Sequence, residues 1–395
     1  MKPRTSPLVL AGIVLLALNL RPAAASVGPM LPEVLRGVQL NHLQTAILLA
    51  LPALCFACFA AIGPAMARRF GLHRATLLSL FAIAIGLFAR SLADDSRVFL
   101  VLSTFALAGA AAASVLLPTL VLLHYPDRLR TLAAPYSRVL SLGFAVAAAF
   151  TVPIAQSDGG WRTGLAFWGA LALVSAIPWL PLIRQDLVIT PLPRTITLVQ
   201  MIRTRSCQKL AALFSLQLLQ TWAMIGWLPT LWRQHGYHSS TAGVLMAVLA
   251  VSGLPFTLRL PAAVSSQRDP RRVLILVALC FPLGDALILV APRAGATPVA
   301  ILLGVAALAF PMSLSLIDRH ARSRDAAFSL LGVAQAVGYL VAGIGTFLFG
   351  LLHLHLGSWG WPMALLLALA LPIPVLAARA AIPASVEEQL GVLPA

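Results

Sequence analysis

A single arginine lies deep inside the first apolar stretch of the sequence. Arg21 follows Leu8 by 13 residues, which corresponds to about 20 Å along an α-helix. A guanidinium keeps its proton, and placing one at that depth in a bilayer costs at least about 3 kcal/mol unless it faces a cavity or a partner. Its planar fork of donors suits an anion or a nitro group. Backbone carbonyls freed by Pro22, Pro29 and Pro32 offer a purely structural alternative.

Uncharged polar side chains share helical faces in two other apolar stretches. Gln217, Gln220 and Thr221 stand at positions i, i+3 and i+4. Gln335 and Tyr339 are four residues apart and also align. These groups suit a small polar solute, and hydrogen bonding between helices is the alternative. The predicted substrate-binding residues are Arg21, Asn19, Gln217, Gln220, Trp222, Gln335 and Tyr339.

Acidic and histidine residues give few candidates for proton transfer. Asp285 lies inside a predicted span, as does Glu33 near the end of the first span. Asp285 is a candidate coupling residue, with hydrogen bonding to a neighbouring polar group or permanent protonation as the alternatives. No buried histidine relay is expected, because every histidine lies at or near a predicted helix end: His42, His73, His124, His235, His238, His320, His353 and His355. No metal site and no cofactor are predicted.

The elements that must position these residues are membrane-spanning helices. The chain has 395 residues, of which 60% are hydrophobic and 10% are charged, and its mean hydropathy is +0.92. This composition excludes a water-soluble enzyme, a nucleic-acid-binding protein and a secreted disulfide scaffold. Stretches of roughly 20 apolar residues suit a bilayer. Twelve are predicted, over residues 7–35, 42–67, 75–92, 99–123, 137–155, 163–183, 209–232, 241–261, 273–290, 298–317, 328–354 and 360–378.

Basic residues predict the topology of these helices. Most of the 28 Lys and Arg residues lie at the N-terminus and in alternate connections, which predicts that both termini are cytoplasmic. The intervening connections hold Arg36, Arg90, Arg97, Arg162, Arg233 and Arg293. We predict an N-terminal six-helix bundle over 1–183, a cytoplasmic linker over 184–208, and a C-terminal six-helix bundle with a short tail over 209–395. The first stretch imitates a cleaved signal peptide, but we expect it to be retained.

The two halves contain similar short segments at related positions. The dipeptide LP at 31–32 matches LP at 228–229, and DR at 127–128 matches DR at 318–319. These offsets are close to half the chain length. Many secondary transporters are built from repeats, with the substrate site at the interface of the repeats. The pattern therefore favours a duplicated transporter.

Twelve helices in two sets of six, with a basic turn after the second helix, resemble the major facilitator superfamily. The loop motif of that family, Gly-x-x-x-Asp-Arg-x-Gly-Arg-Arg, is similar to residues 64–73, in which Arg69 and Gly71 match. Arg68 stands at the Asp position and Pro64 at the first Gly position, so the charge pairing at this loop departs from the family pattern.

A narrower resemblance is to the cyanate and nitroimidazole transporter branch of that superfamily. It rests on NLRP at 19–22 with SVGP at 26–29, ARRFG at 67–71, GWLP at 226–229 and QAVGYL at 335–340. The resemblance implies a plasma-membrane transporter for a small anion or nitro compound. It also implies that helices one, four, seven and ten line a central cavity, while five, eight and eleven help to close it.

The sequence and its resemblance therefore predict an all-α integral membrane protein that carries a small anion or a nitro-type solute across the plasma membrane by alternating access. Arginines at the inner rim are the predicted gating residues: Arg68, Arg69, Arg74, Arg268, Arg271 and Arg272. The expected partners are this solute and the lipid bilayer, with no nucleic acid, and the expected state is a monomer. An exporter of neutral or aromatic compounds, including nitroimidazole-like drugs, is the first alternative. A membrane-embedded enzyme would need HExxH, GxSxG or paired carboxylates inside a span, which the sequence lacks. A channel is the remaining alternative, and single-channel conductance would support it.

Overall fold

The structure of the chain is a computed structural model that describes residues 7–125, 129–157, 159–186 and 197–391. Within those residues the secondary structure is helical, with short 3-10 turns and no β-strand. The helices that precede residue 187 are α1 (Pro7–Asn19), α2 (Pro22–Ala25), α3 (Leu31–Val38), α4 (His42–Phe59), α5 (Ile62–Phe70), α6 (Leu72–Ser91), α7 (Ser96–His124), α8 (Leu129–Ser157) and α9 (Gly160–Ala176).

The helices that follow residue 196 complete the described chain. They are α10 (Leu198–Arg203), α11 (Arg205–Gln234), α12 (Ser239–Ser252), α13 (Arg259–Ser266), α14 (Arg271–Val290), α15 (Ala296–Ala306), α16 (Ala309–Leu314), α17 (Arg324–Leu356), α18 (Gly360–Ala370), α19 (Ile373–Ala380) and α20 (Val386–Gln389).

Eleven helical segments of the described chain are long and apolar enough to cross a membrane. A further helix, α9, has 17 residues and continues directly into a 3-10 turn at Ile177–Trp179, which together form a twelfth apolar helical stretch. The prediction of an all-helical membrane protein is therefore confirmed. Several predicted ends differ from the observed ends, and α11 begins at Arg205, inside the predicted linker 184–208. Residues 187–196 of that linker, and the repeat dipeptide at 127–128, lie outside the described residues.

The first predicted span is not one continuous helix. It breaks after Asn19 and again around a 3-10 turn at Gly28–Met30 before α3 begins. Pro22 starts α2 and lacks the N–H that a continuous helix would need, so the backbone turns at residues 20–21. The three prolines of this span are therefore the local cause of its interruptions, as the sequence predicts.

The chain divides into two compact units. Unit 1 comprises Met1–Pro191 and Ile225–Val251, and unit 2 comprises Leu192–Met224 and Ser252–Ala395. The division of the chain into bundles over 1–183 and 209–395 stays a prediction.

Unit 1 is built around α6, which packs against α7 and α9. The helix α8 packs against α9 and α1, so the broken first span is held by neighbours on several sides. The buried indole of Trp168 on α9 donates a hydrogen bond of 2.9 Å to Thr151 Oγ1 on α8. This bond satisfies a polar group inside an otherwise apolar contact.

In unit 2, α14 packs against α15, α18 and α19, and α17 packs against α18. Two glycines of α17, Gly338 and Gly345, lie where this helix is close to α11. A Cβ at Gly345 would overlap the side chain of Leu219, and a Cβ at Gly338 would lie 3.0 Å from Leu218 and Phe214. Small residues at such contacts allow close helix packing in membranes.

The chain end of unit 2 folds back onto the beginning of α17. The carboxylate of Glu387 is buried and accepts hydrogen bonds from the backbone N–H groups of Arg322 and Ser323, at 3.0 and 2.8 Å. The hydroxyls of Ser323 and Ser385 donate to the same carboxylate, at 3.0 and 2.9 Å. A carboxylate at the N-terminus of a helix stabilises the helix through its free N–H groups and its dipole. The tail therefore acts as a cap for the 33-residue helix α17.

Candidate functional site

Arg21 lies at the first break in the interrupted span. It is the residue that precedes α2, with φ −106° and ψ −28°, and its carbonyl accepts hydrogen bonds from the N–H groups of Ala24 and Ala25 at 3.1 and 3.0 Å. Its side chain is half-buried. Arg21 is thus neither sealed in the protein core nor fully exposed.

A second guanidinium reaches the same broken segment. Arg90, near the end of α6, is 0% exposed and donates hydrogen bonds of 3.3 Å to the carbonyl of Ala23 and of 3.3 Å to Ser26 Oγ. The prediction that places Arg90 in a connection between spans is wrong, because Arg90 lies inside α6 and is fully buried. The reason is tertiary: the break leaves carbonyl oxygens without helical partners, and Arg90 supplies donors for them.

Sequence reasoning missed Arg90 because an arginine in the last turn of an apolar helix normally reaches outward. The signal that pointed to it was indirect. A proline-broken helix predicts unpaired carbonyls that need a donor, and an arginine at the end of a neighbouring span is one source of such a donor.

Asn19, the last residue of α1, is fully buried and faces α9. Its side-chain N–H group donates to Ser175 Oγ and, at 3.4 Å, to the carbonyl of Leu171, as well as to Leu15 in its own helix at 3.1 Å. The amide nitrogen is therefore engaged in holding α1 against α9. These contacts support a structural role for Asn19, although it was predicted to bind substrate.

The two predicted glutamines of α11 use their amides in different contacts within unit 2. Gln217 accepts a hydrogen bond of 3.3 Å from Ser313 Oγ on α16, whereas Gln220 donates one of 2.6 Å to the carbonyl of Leu366 on α18. Both side chains are buried. The structure thus connects α11 through amides to two different neighbours, rather than placing both amides on one open face.

The predicted aromatic residues do come together. The rings of Trp222 on α11 and Tyr339 on α17 have centroids 6.5 Å apart and an interplanar angle of 55°. Both residues are buried, at 3% and 9% exposure. Gln335, one helical turn before Tyr339, is half-buried. A tilted aromatic pair with an amide one turn away suits a flat, polarised solute.

Asp285 lies inside α14 and is 0% exposed. Neither carboxyl oxygen of Asp285 has a hydrogen-bond partner among the described residues. The coupling role of Asp285 stays a prediction.

The basic turn between α5 and α6 is arranged around an acid that the sequence analysis did not single out. Asp186 accepts hydrogen bonds from the backbone N–H groups of His73 and Arg74 at 2.9 and 3.1 Å, and its carboxylate lies 3.8 Å from Arg74 Nε. Gly71, with φ +94°, makes room for this carboxylate, because a Cβ there would overlap it. Arg68 stands at the Asp position of the loop motif, and Asp186 therefore supplies the negative charge that this position lacks. The other predicted rim arginines of this turn, Arg68 and Arg69, are exposed.

The corresponding arginines of unit 2 are also exposed. Arg271 pairs with Asp269 at 3.5 Å, and Arg268 accepts a backbone hydrogen bond of 2.8 Å from the guanidinium of Arg319. Arg319 also donates to the carbonyl of Gln267 at 3.0 Å, so its guanidinium binds two consecutive carbonyls of the segment that follows α13. Arg272 is exposed as well. Arg319 thus has a structural role that the predicted gating set does not include.

Four histidines are buried although each lies at or near a helix end. His73 and His124 face one another with their Nε2 atoms 2.9 Å apart, and His73 Nδ1 lies 3.4 Å from Asp186. His320 and His353 are buried near other helix ends. A position at a helix end did not predict exposure here, because a neighbouring helix or loop covers that end.

An ion pair connects α11 with α3 inside unit 1. Arg233 binds both carboxylate oxygens of Glu33, at 2.7 and 2.8 Å, and the carbonyl of Pro29 at 3.0 Å. Both carboxylate oxygens of Glu33, the acid of the first span, therefore bind Arg233. The sequence predicts Arg233 in a connection and does not predict this pair.

The chain belongs to the Major Facilitator Superfamily, whose sequence pattern matches residues 13–343. It is therefore a multi-pass membrane transporter rather than an enzyme.

Three curated relatives cover most of the chain. It is 29% identical to the 2-nitroimidazole transporter of Escherichia coli strain K12 over 347 residues, or 87% of this chain and 88% of that protein. It is 27% identical to the uncharacterized transporter YycB of Bacillus subtilis strain 168 over 353 residues, or 87% and 86%. It is 26% identical to the cyanate transport protein CynX of Escherichia coli strain K12 over 341 residues, or 86% and 88%.

Solved structures share the fold at low sequence identity. The nucleoside transporter NupG superposes with a TM-score of 0.78 at 12% identity, covering 94% of this chain and 99% of NupG. A bacterial homologue of the human lysosomal transporter Spinster superposes with a TM-score of 0.76 at 15% identity, covering 96% and 98%.

Proposed function

We propose that this transporter moves a small anion or a nitro-type solute across the plasma membrane by alternating access. The observation that carries the proposal is the half-buried guanidinium of Arg21 at the break between α1 and α2, with the guanidinium of Arg90 fixed on the same segment. Two permanent positive charges at one helix break favour an anionic or strongly polarised cargo. The relatives named for cyanate and 2-nitroimidazole transport support this class of solute.

The chemistry of the two arginines divides their roles. Arg90 is sealed and uses its donors on the backbone and on Ser26, so its contribution to a ligand is positive potential. Arg21 is partly accessible, and a guanidinium offers two parallel N–H groups that match cyanate, nitrate or nitro oxygens. Inside an apolar span such a contact is screened less than at the protein surface.

Unit 2 contains a buried aromatic pair whose chemistry differs from that of the two arginines. The rings of Trp222 and Tyr339, with Gln335 one turn away, suit the flat face of a nitroheterocycle or another planar solute. This aromatic pair is also the observation that favours the alternative, an exporter of neutral or aromatic compounds in which Arg21 has a structural role. Transport measured in both directions across right-side-out and inside-out vesicles separates import from export.

We further propose the two-bundle organisation over 1–183 and 209–395, a monomer, and cytoplasmic termini. The excess of basic residues in alternate connections supports the orientation. Labelling of single cysteines introduced at exposed Arg36 and exposed Arg69 tests it, because these positions should be accessible from opposite sides of the membrane.

The function is tested with purified protein and a panel of cyanate, nitrate, 2-nitroimidazole and an uncharged imidazole. A ligand that binds the folded state and not the unfolded state raises the melting temperature, and the rise grows with the ratio of free ligand concentration to Kd. We expect cyanate, nitrate or 2-nitroimidazole to raise it more than imidazole does. The same solutes should then show saturable flux into proteoliposomes without single-channel conductance. Equal or absent shifts for the whole panel, together with absent flux, would contradict the proposal.

A further inference from the structure

Two buried histidines and an aspartate meet in unit 1, where α6 begins and α7 ends. His73 is 2% exposed and His124 is 9% exposed, and their Nε2 atoms lie 2.9 Å apart. The two ring centroids are 5.2 Å apart, with an angle of 46° between the ring planes. The other ring nitrogen of His73, Nδ1, lies 3.4 Å from Oδ1 of Asp186. We call His73, His124 and Asp186 the histidine cluster.

Asp186 is held in place by the backbone at the beginning of α6. Its two carboxylate oxygens accept hydrogen bonds from the N–H groups of His73 and Arg74, at 2.9 and 3.1 Å, so its position does not depend on the charge of the histidine rings. Its contact with Nδ1 of His73 is electrostatic, because Nδ1 has no partner at hydrogen-bond geometry among the described residues. A negative charge at this distance favours the tautomer of His73 that carries its proton on Nδ1.

The contact between the two histidines holds one proton. A neutral imidazole has one N–H donor and one nitrogen acceptor. Because the proton of His73 is on Nδ1, its Nε2 is the acceptor, and His124 donates through its own Nε2–H group. The neutral pair therefore forms an N–H···N hydrogen bond between α6 and α7, which pack against one another.

Further protons change this contact in two steps. One additional proton turns one ring into an imidazolium, and the carboxylate of Asp186 favours this charge on His73. His73 then donates through Nε2 to the neutral His124, so one proton still lies between the two Nε2 atoms. With a second additional proton both rings are imidazolium, and two N–H donors with two positive charges face one another. At 2.9 Å that arrangement has no hydrogen bond and is repulsive, so the rings must move apart.

The arginines at the beginning of α6 are exposed to solvent, which screens their charges: Arg68, Arg69, Arg74 and Arg184. They belong to α5, to α6 itself and to the 3-10 turn at Leu182–Gln185. α6 also packs against α9 and against the 3-10 turn at Ile177–Trp179. Arg162 on α9 donates to the carbonyl of Ser91, at the other end of α6. Arg90 follows His73 by 17 residues, or about 25 Å along the helix.

α7 packs against α1, α2, α4, α5 and α8 as well as α6. Within and beside these helices the structure describes further titratable residues: Arg21, His42, Cys55, Cys58, Arg97, Tyr125 and Arg138. Other charged or titratable groups of unit 1 lie outside the described part of the chain, namely Lys2, Arg4, Asp127, Arg128 and Asp158 and the side chains of Arg130 and Tyr136.

Asp186 is the acid that faces the histidine pair among the described residues of unit 1. The other described acids of this unit bind an arginine or the beginning of α7: Glu33, Asp94 and Asp95. One carboxylate therefore balances the charge of the pair. It compensates the first additional proton and leaves the second uncompensated.

We propose that the histidine cluster is a pH-sensitive latch in unit 1. With a neutral or singly charged pair the latch is closed and ties the end of α7 to the beginning of α6. On acidification a hydronium ion donates the second additional proton to the lone pair of an imidazole nitrogen and leaves as water. The contact between His73 and His124 then breaks, while the bonds from Asp186 to the backbone of α6 remain. The latch does not rest on the proposed function, whereas any effect of its opening on solute flux does.

Nitrogen NMR spectroscopy on the full-length protein with isotope-labelled histidine tests the latch. A scalar coupling between two ring nitrogens requires a hydrogen bond between them. We expect one such coupling near neutral pH, and we expect it to vanish on acidification while the protein stays folded. His73→Gln and His124→Gln should each lack it, whereas His42→Gln, at an exposed histidine of unit 1, should retain it.

Three outcomes of this measurement would overturn the inference. They are the absence of the coupling from the folded wild type near neutral pH, its persistence at every pH at which the protein stays folded, and its retention in either variant of the pair. Asp186→Asn should lose the coupling only at a lower pH than the wild type, because the charge that stabilises the protonated rings is gone. An unchanged pH of loss would contradict the part of Asp186 in the latch.

A distance between two spin labels gives a second readout that needs no variant of the histidine cluster to fold. The labels are attached at Leu78→Cys on α6 and Leu122→Cys on α7, both exposed positions, after replacement of the native cysteines. We expect this distance to increase on acidification, over the pH range in which the nitrogen coupling is lost. An unchanged distance would overturn the inference, because the two helices would then stay together with both rings charged.

Discussion

Arg233 and Glu33 form a bidentate ion pair between α11 and α3, at 2.7 and 2.8 Å. These residues are 200 positions apart in the chain. The pair is partly buried, with 20% exposure of the Arg233 side chain and 34% exposure of the Glu33 side chain. The additional bond from Arg233 to the carbonyl of Pro29 fixes the guanidinium on the interrupted first span. A two-pronged contact of this kind is specific in direction as well as in charge.

The first prediction is that Glu33 and Arg233 are energetically coupled. Glu33→Gln and Arg233→Gln should each lower the melting temperature, and the double variant should be less destabilised than the sum of the two. We expect a coupling of roughly 1 kcal/mol, because partly buried paired residues in contact couple in the range of about 0.5–3 kcal/mol. Arg36→Gln, at an exposed arginine of the same helix, is the matched control and should change little. Strict additivity of the two substitutions would show that the pair contributes nothing.

The second prediction separates the structural from the binding role of Asn19. Asn19→Leu removes its bonds to Leu171 and Ser175 on α9, so the free energy of unfolding should fall by about 1–2 kcal/mol. Affinity for cyanate or 2-nitroimidazole should stay within about twofold of the wild type. Calorimetric binding together with thermal melting checks both values. A stable variant that has lost its affinity would place Asn19 in the binding site instead.

The third prediction concerns the sealed guanidinium of Arg90. Arg90→Gln leaves the carbonyl of Ala23 and the hydroxyl of Ser26 without their charged donor, which should destabilise the protein by about 2–4 kcal/mol. Arg90→Lys keeps the charge but loses the fork, and it should recover part of that loss. Chemical unfolding in detergent measures the effect. Arg162→Gln serves as the control, because Arg162 is partly exposed and pairs with exposed Asp94.

The fourth prediction is a pH dependence that arises from Glu387. Burial raises the pKa of this carboxyl, but hydrogen bonds from the backbone of Ser323 and from the hydroxyls of Ser385 and Ser323 outweigh burial and leave the pKa below its usual value. A group with a lower pKa in the folded state adds stability above its unfolded pKa, and this stability is lost as the pH falls through its folded pKa. The difference in melting temperature between the wild type and Glu387→Gln should therefore be largest near neutral pH.

That difference should shrink as the solution is acidified below the usual range of glutamate pKa values. Glu388→Gln is the matched control, since it removes a more exposed ion pair with Arg322 and should have the smaller effect at neutral pH. A difference between wild type and Glu387→Gln that is constant across the pH range would contradict the role assigned to the carboxylate.

The sequence predicted the spans and the break at Arg21, because apolar length and proline chemistry act over a few residues. It did not predict the hydrogen-bond partners of Arg90, Asp186 and Glu387, because each partner is distant in the chain. Arg90 lies 67 residues from Ala23, and Asp186 lies 113 residues from His73. Charge at a helix end indicates exposure only when nothing covers that end, and coverage is a property of tertiary packing.

Gln217 and Gln220 show that the sequence also does not identify the partners of residues that lie close together on one helix. The spacing of Gln217 and Gln220 correctly places both on neighbouring positions of one helix, but their bonds run to Ser313 and to Leu366 on different helices. Helical periodicity gives the direction of a side chain and not the identity of the group it meets. The contact between Trp222 and Tyr339 likewise required the packing of α17 against α11, to which Gly338 and Gly345 contribute.

Equilibrium binding to Arg21 variants tests the central claim most directly. Calorimetry with cyanate, nitrate and 2-nitroimidazole should show that Arg21→Ala lowers the affinity for the best of these ligands at least about tenfold, which corresponds to about 1.4 kcal/mol. Arg21→Lys should be intermediate, because it keeps the charge without the planar fork. Arg36→Ala should bind as the wild type does. Unchanged affinity in a folded Arg21→Ala protein would contradict the account, since the cargo would then be recognised without this guanidinium.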